Sequence, residues 1–256
     1  MSNLEFFQFE CLSDNFGVLV HDPASSNTAA IDVPEENALF DALKEKGWNL
    51  THVLVTHHHY DHVQGIPAAK EKYGCHVIGP AMSADKIPTL DETIQDGDSF
   101  EFGGDKVNVI ATPGHTLDMV NFHFVESNTL FTGDTLFALG CGRIFEGDPE
   151  MMWNSLDRLR QLPPQTTIYC GHEYTLGNAQ FSLTVDPEND ALISRLKEIE
   201  ALRAQGKPTL PTTIALELET NPFLRADDLA IRKYLGMDKA SNAEVFAEIR
   251  KRKDNA

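Results

Sequence analysis

The sequence predicts an α/β protein with two strand-rich halves packed face to face, followed by a smaller helical domain; residues 1–173 form the first part and 174–256 the second. Short β-branched runs recur through the first part, and four of them end in a turn followed at once by a metal-competent residue. Helical patterns lie between some of these runs, as crossover connections require. Beyond Glu173 the strand-like runs give way to helical periodicity, which is the texture of a separate helical region.

The elements follow in order. Residues 4–8, 16–20 and 27–31 read as strands of a meander, with turns at Ser13-Asp14-Asn15 and at 23–26. Asp32 closes the third strand, where its residue type fits either a turn or support of nearby metal ligands. Residues 34–46 have helix chemistry: a proline at the start, acids in the first turn, Leu39 and Leu43 four apart, and Gly47 beyond the end. A strand at 51–55, a helix at 66–73 ended by Gly74 and a strand at 76–79 suggest a crossover unit with a loop between its first strand and its helix. Gly103-Gly104-Asp105 turns 99–102 back onto 107–111 as a hairpin. Residues 119–125 alternate polar with apolar, as a half-buried strand does, and 129–132 and 167–170 complete the strands. Residues 135–145, with Gly140-Cys141-Gly142-Arg143, read as a loop. Residues 149–162 form a helix capped by Asp148, with Met152, Leu156 and Leu159 on one face and Pro163-Pro164 as its stop. In the tail, 174–183, 187–205, 226–235 and 243–253 are helical, interrupted by Pro208, Pro211 and Pro222.

With 256 residues and 41% hydrophobic content, the chain can bury one substantial core and a smaller second one. The N-terminus has no basic segment followed by an apolar run, and no apolar stretch is long enough to span a bilayer, so a cytoplasmic protein without membrane attachment is expected, acting as a monomer. The four cysteines are widely separated and form no CxxC pair, which fits reduced, buried thiols. A net charge of -18 argues against nucleic acid as a partner and requires any anionic substrate to meet a local basic patch.

The chemistry gathers in Thr56-His57-His58-His59-Tyr60-Asp61-His62, delivered into a loop by the run Val53-Leu54-Val55. His57 and His59 are two apart and can share one side of an extended backbone, with Asp61 and His62 following after a bend. Three other strand ends supply His115, Asp134 and His172, each just beyond small or Pro/Gly residues. His57, His59 and His115 form one facial set; Asp61, His62 and His172 form another; Asp134 can bridge. Three protein ligands per metal leave positions open for water, the layout of a catalytic site rather than a structural one. Two cations holding one water lower its pKa towards neutrality and polarise a carbonyl, so hydrolysis of an activated acyl group follows, with Asp61 and Asp134 in catalytic positions. His/Asp sites with water suit two divalent ions, zinc first, with iron and manganese as alternatives. His58 points away from its neighbours and supports structure or a ligand; His21, His52, His76 and His123 read as ordinary strand histidines.

The pattern THHHYDH, PGHT, GDTLF and CGHEYT resembles the metallo-β-lactamase superfamily, and that resemblance implies an αββα sandwich. His59 argues against the oxygen-reducing diiron branch, which carries a carboxylate there, and Asp61 differs from the true β-lactamases. Within the superfamily the chain resembles the glyoxalase II, or hydroxyacylglutathione hydrolase, family. The matches are residues 56–62, 133–137, 140–142 and 170–175, then Asn221-Pro222-Phe223 and 250–254 in the helical tail. The resemblance implies hydrolysis of 2-hydroxyacyl glutathione thioesters, typically S-D-lactoylglutathione to D-lactate and glutathione, by a metal-bound hydroxide, the second step of methylglyoxal detoxification. It also implies that Arg143, Tyr174, Arg250 and Lys253 contact the glutathione moiety. Two departures bear on those contacts: Arg143 stands where Lys is frequent, and Phe145 where many members carry Tyr. A glutathione persulfide dioxygenase or a lactonase of the same fold is the alternative; the helical tail with its basic end counts against the dioxygenase.

Overall fold

The computed structural model describes residues 3–256, so the reading of Met1 and Ser2 as part of a leaderless start lies outside it. The chain divides into two compact units. The first runs to Ala111 and resumes over Asp118–Gly133; the second comprises Thr112–Leu117 and Asp134–Ala256.

In the first unit, β1 (Glu5–Cys11), β2 (Asn15–Asp22) and β3 (Asn27–Ile31) form the expected antiparallel meander. After α1 (Glu36–Lys46) the chain returns as β4 (His52–Leu54), parallel to β3. The short α2 (Tyr60–Val63) and α3 (Ile66–Tyr73) lead into β5 (His76–Pro80), a 3-10 turn at Ala81–Ser83 and β6 (Glu92–Ile94), both strands again parallel to their neighbours. Strand β6 was not legible in the sequence, being three residues of which two are exposed. Alternation along β4 sends Val53 into a core with Leu39 and Leu43 of α1, Ile66 and Ala69 of α3, and Val77 of β5. It turns His52 the other way, 5.5 Å from the ring of Phe102.

Phe102 belongs to the meander of β7 (Ser99–Phe102), β8 (Asp105–Ala111), β9 (Val120–Phe124) and β10 (Thr129–Phe131), all antiparallel. Phe131 of β10 meets Phe6 of β1 at 6.2 Å and Phe124 of β9 at 5.5 Å, so an aromatic layer joins the faces of the two sheets. A layer of helices over one sheet, and that sheet over another, leaves the carboxyl end of β4 as the place where a loop reaches the surface.

In the second unit, the segment expected to be a loop contains a small hairpin, β11 (Leu136–Phe137) with β12 (Gly140–Cys141). Its turn uses Leu139 at φ 57, a left-handed conformation that the residue type does not advertise. Helix α4 (Pro149–Leu159) is capped by Asp148, whose side chain accepts from Met151 N. Met152, Leu156 and Leu159 are buried as their spacing predicts, each side chain contributing roughly 1.5–3 kcal/mol. Then come β13 (Thr167–Tyr169), α5 (Thr175–Ser182), α6 (Asp190–Arg203), β14 (Thr212–Thr213), α7 (Ile214–Thr220), α8 (Leu229–Leu235) and α9 (Asn242–Asp254). Strands β13 and β14 pair antiparallel. Helix α7 escaped the sequence reading because its seven residues include Glu217 and Glu219, which break the apolar period; Glu217 is nonetheless fully buried. Helix α9 opens with a capping box between Ser241 and Glu244, and its Phe246 packs 6.2 Å from Trp153 of α4. All four cysteines are free and buried. Among the described residues, no helix is long and apolar enough to cross a membrane.

Candidate metal centre

Each unit carries part of the expected ligand set: His57, His59, Asp61 and His62 lie in the first, and His115, Asp134 and His172 in the second. In the first, β4 hands the chain to Thr56, and Asp32 at the end of β3 receives it: Asp32 Oδ1 accepts Thr56 N at 2.8 Å, and Oδ2 accepts Thr56 Oγ1 at 2.8 Å. Asp32 reaches both because its backbone is left-handed, φ 56, which an aspartate tolerates better than most residues. Gly133, at φ 46, passes so close that a Cβ there would lie 2.7 Å from Thr56 Oγ1.

This scaffold fixes two imidazoles. His62 Nδ1 lies 2.8 Å from Asp32 Oδ2 and donates its proton to that carboxylate. His57 Nδ1 lies 3.0 Å from Thr56 Oγ1, and because that hydroxyl hydrogen is given to Asp32, the imidazole must be the donor. In the neutral form both rings therefore present Nε2 lone pairs, the state a metal ligand needs. The two rings are 4.2 Å apart, His59 lies 4.8 Å from His57, and the ligand atoms of Asp32, His57 and His62 fall within 4.8 Å of one another. Asp61 is placed by Asn15, whose Nδ2 donates to its Oδ2 at 3.0 Å and its carbonyl at 3.2 Å. Asp61 Oδ2 is 3.8 Å from His62 Nε2. His57, His59, Asp61 and His62 thus come together in this unit.

His58 behaves as expected of a supporting residue. Its Nδ1 donates to Asp118 at 2.8 Å, Lys86 Nζ donates to its Nε2 at 3.1 Å, and Asp118 is also held by the hydroxyl of buried Ser83.

In the second unit, Asp134 Oδ2 lies 3.4 Å from His115 Nε2 and 3.3 Å from His172 Nε2. One carboxylate oxygen is thus within 3.4 Å of two imidazole nitrogens. His115 Nδ1 donates to the Arg143 carbonyl at 2.7 Å, a partner that can only accept. With Nδ1 carrying the proton, Nε2 of a neutral His115 is a lone pair facing a carboxylate oxygen, an arrangement that a cation satisfies and two acceptors alone do not. The donor chemistry of both units therefore fits divalent metal. Gly142 makes the approach possible: a Cβ there would lie 2.0 Å from Asp134 O and 2.9 Å from His115 Nδ1. His172 stacks on Tyr174, centroids 4.7 Å apart and planes 4° from parallel. Cys170 is no ligand in this geometry; its thiol contacts the His172 carbonyl at 3.6 Å, and burial pushes its pKa up to about 12.

The residues expected to contact glutathione share this unit. Arg143 is 61% exposed, with Nε 3.6 Å from Asp254, and the same carboxylate oxygen lies 2.9 Å from Arg250. Arg250 is 7% exposed, lies over the Phe223 ring at 5.1 Å and donates to Cys141 O at 3.0 Å, so it is anchored as well as charged. Lys253 lies over Phe181 at 5.2 Å and donates to Gly177 O at 3.2 Å. Burial and the neighbouring Arg250 charge hold its ammonium below the usual lysine pKa. Phe145 meets His115 edge-on at 5.3 Å and is 60% exposed. The sequence did not single out Asn15, the Thr56 hydroxyl, Asp118 or the backbone carbonyl of Arg143; only Asp32 carried a signal, as a carboxylate closing a strand.

Comparison with known proteins places the chain in a family. Residues 14–172 match the model of the metallo-beta-lactamase superfamily, and residues 173–256 that of the hydroxyacylglutathione hydrolase C-terminus. The chain is 59% identical over 255 residues to a hydroxyacylglutathione hydrolase of Rhizobium etli, covering 100% of both. It is 59% identical over 252 residues to one of Mesorhizobium japonicum, covering 98% of this chain and 99% of that one. Among solved structures, ETHE1 from Myxococcus xanthus matches with a TM-score of 0.69 at 27% identity, over 96% of this chain and 90% of the other. The BLEG-1 B3 metallo-beta-lactamase shares the fold, with a TM-score of 0.65 at 20% identity, over 86% of this chain and 99% of that one. The chain has the metallo-β-lactamase fold and belongs, within that superfamily, to the hydroxyacylglutathione hydrolase family.

Proposed function

We propose that this protein hydrolyses 2-hydroxyacyl thioesters of glutathione, S-D-lactoylglutathione foremost, to the hydroxy acid and glutathione, the second step of methylglyoxal detoxification. The observation that carries the reading is Asp254, a carboxylate lying against both Arg143 and Arg250 in the unit that also holds Asp134 and His172. A carboxylate-bearing ligand can take the place of that side chain, and glutathione carries two carboxylates.

In this reading His57, His59 and His115 would hold one divalent cation, Asp61, His62 and His172 would hold a second, and Asp134 would serve both. Zinc is the first candidate for both, with iron and manganese next. When bound, such ions supply Lewis acidity and a water whose pKa lies near neutrality. Asp32 keeps His57 and His62 in the Nε2-ligating tautomer, and the Arg143 carbonyl does the same for His115. Asp61 and Asp134 fix the carboxylate charge against which the reacting groups are arranged. Arg143, Tyr174, Arg250 and Lys253 hold the glutathione part, overcoming the repulsion of a chain with net charge -18.

The functional division falls between residues 173 and 174, with the thioester chemistry before it and most of the glutathione contacts after it. Four free, buried cysteines support a reducing, cytoplasmic setting, and we take the protein as a monomer. The purified, metal-loaded protein should hydrolyse S-D-lactoylglutathione with release of free thiol. Oxygen uptake with glutathione persulfide, or faster turnover of a lactone, would replace this reading with the dioxygenase or lactonase of the same superfamily.

A further inference from the structure

We propose that the hairpin β11–β12 is a positioning device through which Glu217 and Asn221 hold His115, Asp134 and Arg143 in place; this rests on the reading of His115 and Asp134 as ligands. The backbone of residues 137–140 is gripped by side chains rather than by a longer sheet. Asn221 Nδ2 donates to Phe137 O at 3.2 Å and Gly140 O at 3.0 Å, and Asn178 Nδ2 donates to Ala138 O at 3.1 Å. Leu139 N donates to Glu217 Oε2 at 2.7 Å, and Leu139 O accepts Ser182 Oγ at 3.3 Å. The Leu139 side chain is packed with Ala179, Leu192 and Ile199, which keeps its left-handed turn in register.

The grip is itself braced. Glu217 is fully buried, and its other oxygen accepts Arg195 at 2.5 Å and Thr212 at 2.6 Å. Arg195 also donates to Thr220 Oγ1 at 2.5 Å, and Asn221 Oδ1 accepts Phe223 N at 3.0 Å. A buried ion pair is a poor source of stability compared with apolar packing, and its best use is to define one geometry. What this one defines lies just beyond the hairpin. Gly142 packs so closely that a Cβ on it would lie 2.0 Å from Asp134 O and 2.9 Å from His115 Nδ1, its N–H donates to Thr135 O at 3.2 Å, and the next carbonyl, Arg143 O, takes the His115 proton. A small rotation of the hairpin therefore displaces the Arg143 carbonyl from His115 and presses Gly142 against the Asp134 backbone.

The experiment measures cobalt(II) affinity by chelator competition, together with Tm, for the full-length protein. Asn221→Asp keeps the acceptor for Phe223 N but turns an oxygen towards two carbonyls and a carboxylate. We expect metal affinity to fall by roughly 10-fold and the KM for S-D-lactoylglutathione to rise. Asn178→Ala, which releases only Ala138 O, should show the same trend at smaller size and serves if Asn221→Asp does not fold. Ile231→Ala, buried in α8 with a side chain that bonds to none of the groups that grip the hairpin, should lower Tm and leave the affinity unchanged. Variants at 221 and 178 that lose Tm but bind cobalt like the parent overturn the proposal. His115→Ala in the same assay separates the two levels: unaltered binding there removes the ligand reading itself.

Discussion

A single oxygen, Oδ2 of Asp32, accepts both the Thr56 hydroxyl and the His62 ring, so one carboxylate sets the tautomer of His62 directly and of His57 through one intervening hydroxyl. Asp32→Asn cannot serve every donor with one carbonyl oxygen. Metal affinity should fall by about 10- to 100-fold with the fold retained, which a competition titration with a chromophoric chelator would read alongside circular dichroism. Parent-like affinity would show that Asp32 is only a turn residue.

Asp134 is centred between His115 and His172. Asp134→Ala should reduce turnover on the order of 100-fold, far beyond the effect of removing an exposed acid such as Glu198. Steady-state kinetics with metal content measured on the same sample checks this; near-normal turnover with two ions bound would exclude the bridging role.

Gly142→Ala asks for space that is occupied by Asp134 O and His115. The hairpin or the histidine must give way, so both metal content and Tm should drop. A Gly142→Ala protein that is fully loaded and fully active would mean that the contact relaxes without consequence.

The basic end of α9 divides by role. Lys253→Ala should raise KM several-fold with little change in kcat, and the effect should shrink at high ionic strength. Arg250→Ala should raise KM and also lower Tm, because its guanidinium holds Cys141 O and covers Phe223. Exposed Lys251 should change neither. Kinetics of the three variants at two salt concentrations decide the matter; equal KM values at low salt would move the glutathione site elsewhere.

Lys253 also predicts a pH effect. Its folded pKa is depressed by burial and by Arg250, so it loses its charge at lower pH than an ordinary lysine. KM for the anionic substrate should climb as pH rises through that lowered pKa, and Lys253→Ala should abolish the climb. The stability consequence has the opposite sign. Between the folded and unfolded pKa values the unfolded chain binds more protons, so this group favours folding more as pH rises through that window. A KM profile identical in parent and variant up to the ordinary lysine range would rule this out.

The convergence of the candidate residues was legible because metal-competent side chains are confined to few residue types and here follow strand ends in short motifs. His57, His59, Asp61 and His62 occupy one such motif, and Asp134 lies close to both His115 and His172. Asp32 was ambiguous because a left-handed carboxylate after a strand looks the same in sequence whether it closes a turn or orients a ligand. The hairpin at residues 136–141 was read as loop because its hydrogen bonds come from Asn178, Ser182, Glu217 and Asn221, up to 84 residues away, and no local pattern encodes them. The strands and helices with periodic burial, such as α4 and β8, were placed within a few residues for the converse reason.

The four buried thiols give the molecule a built-in set of clocks. Cys11 and Cys75 lie in the first unit and Cys141 and Cys170 in the second, and burial raises every one of their pKa values, to about 12 for Cys11 and Cys170 and about 11 for Cys141. An alkylating reagent at neutral pH then finds almost no thiolate until the surrounding structure opens. The mass gained per peptide over time would therefore time the opening of each unit separately, with Cys141 reporting from within the hairpin.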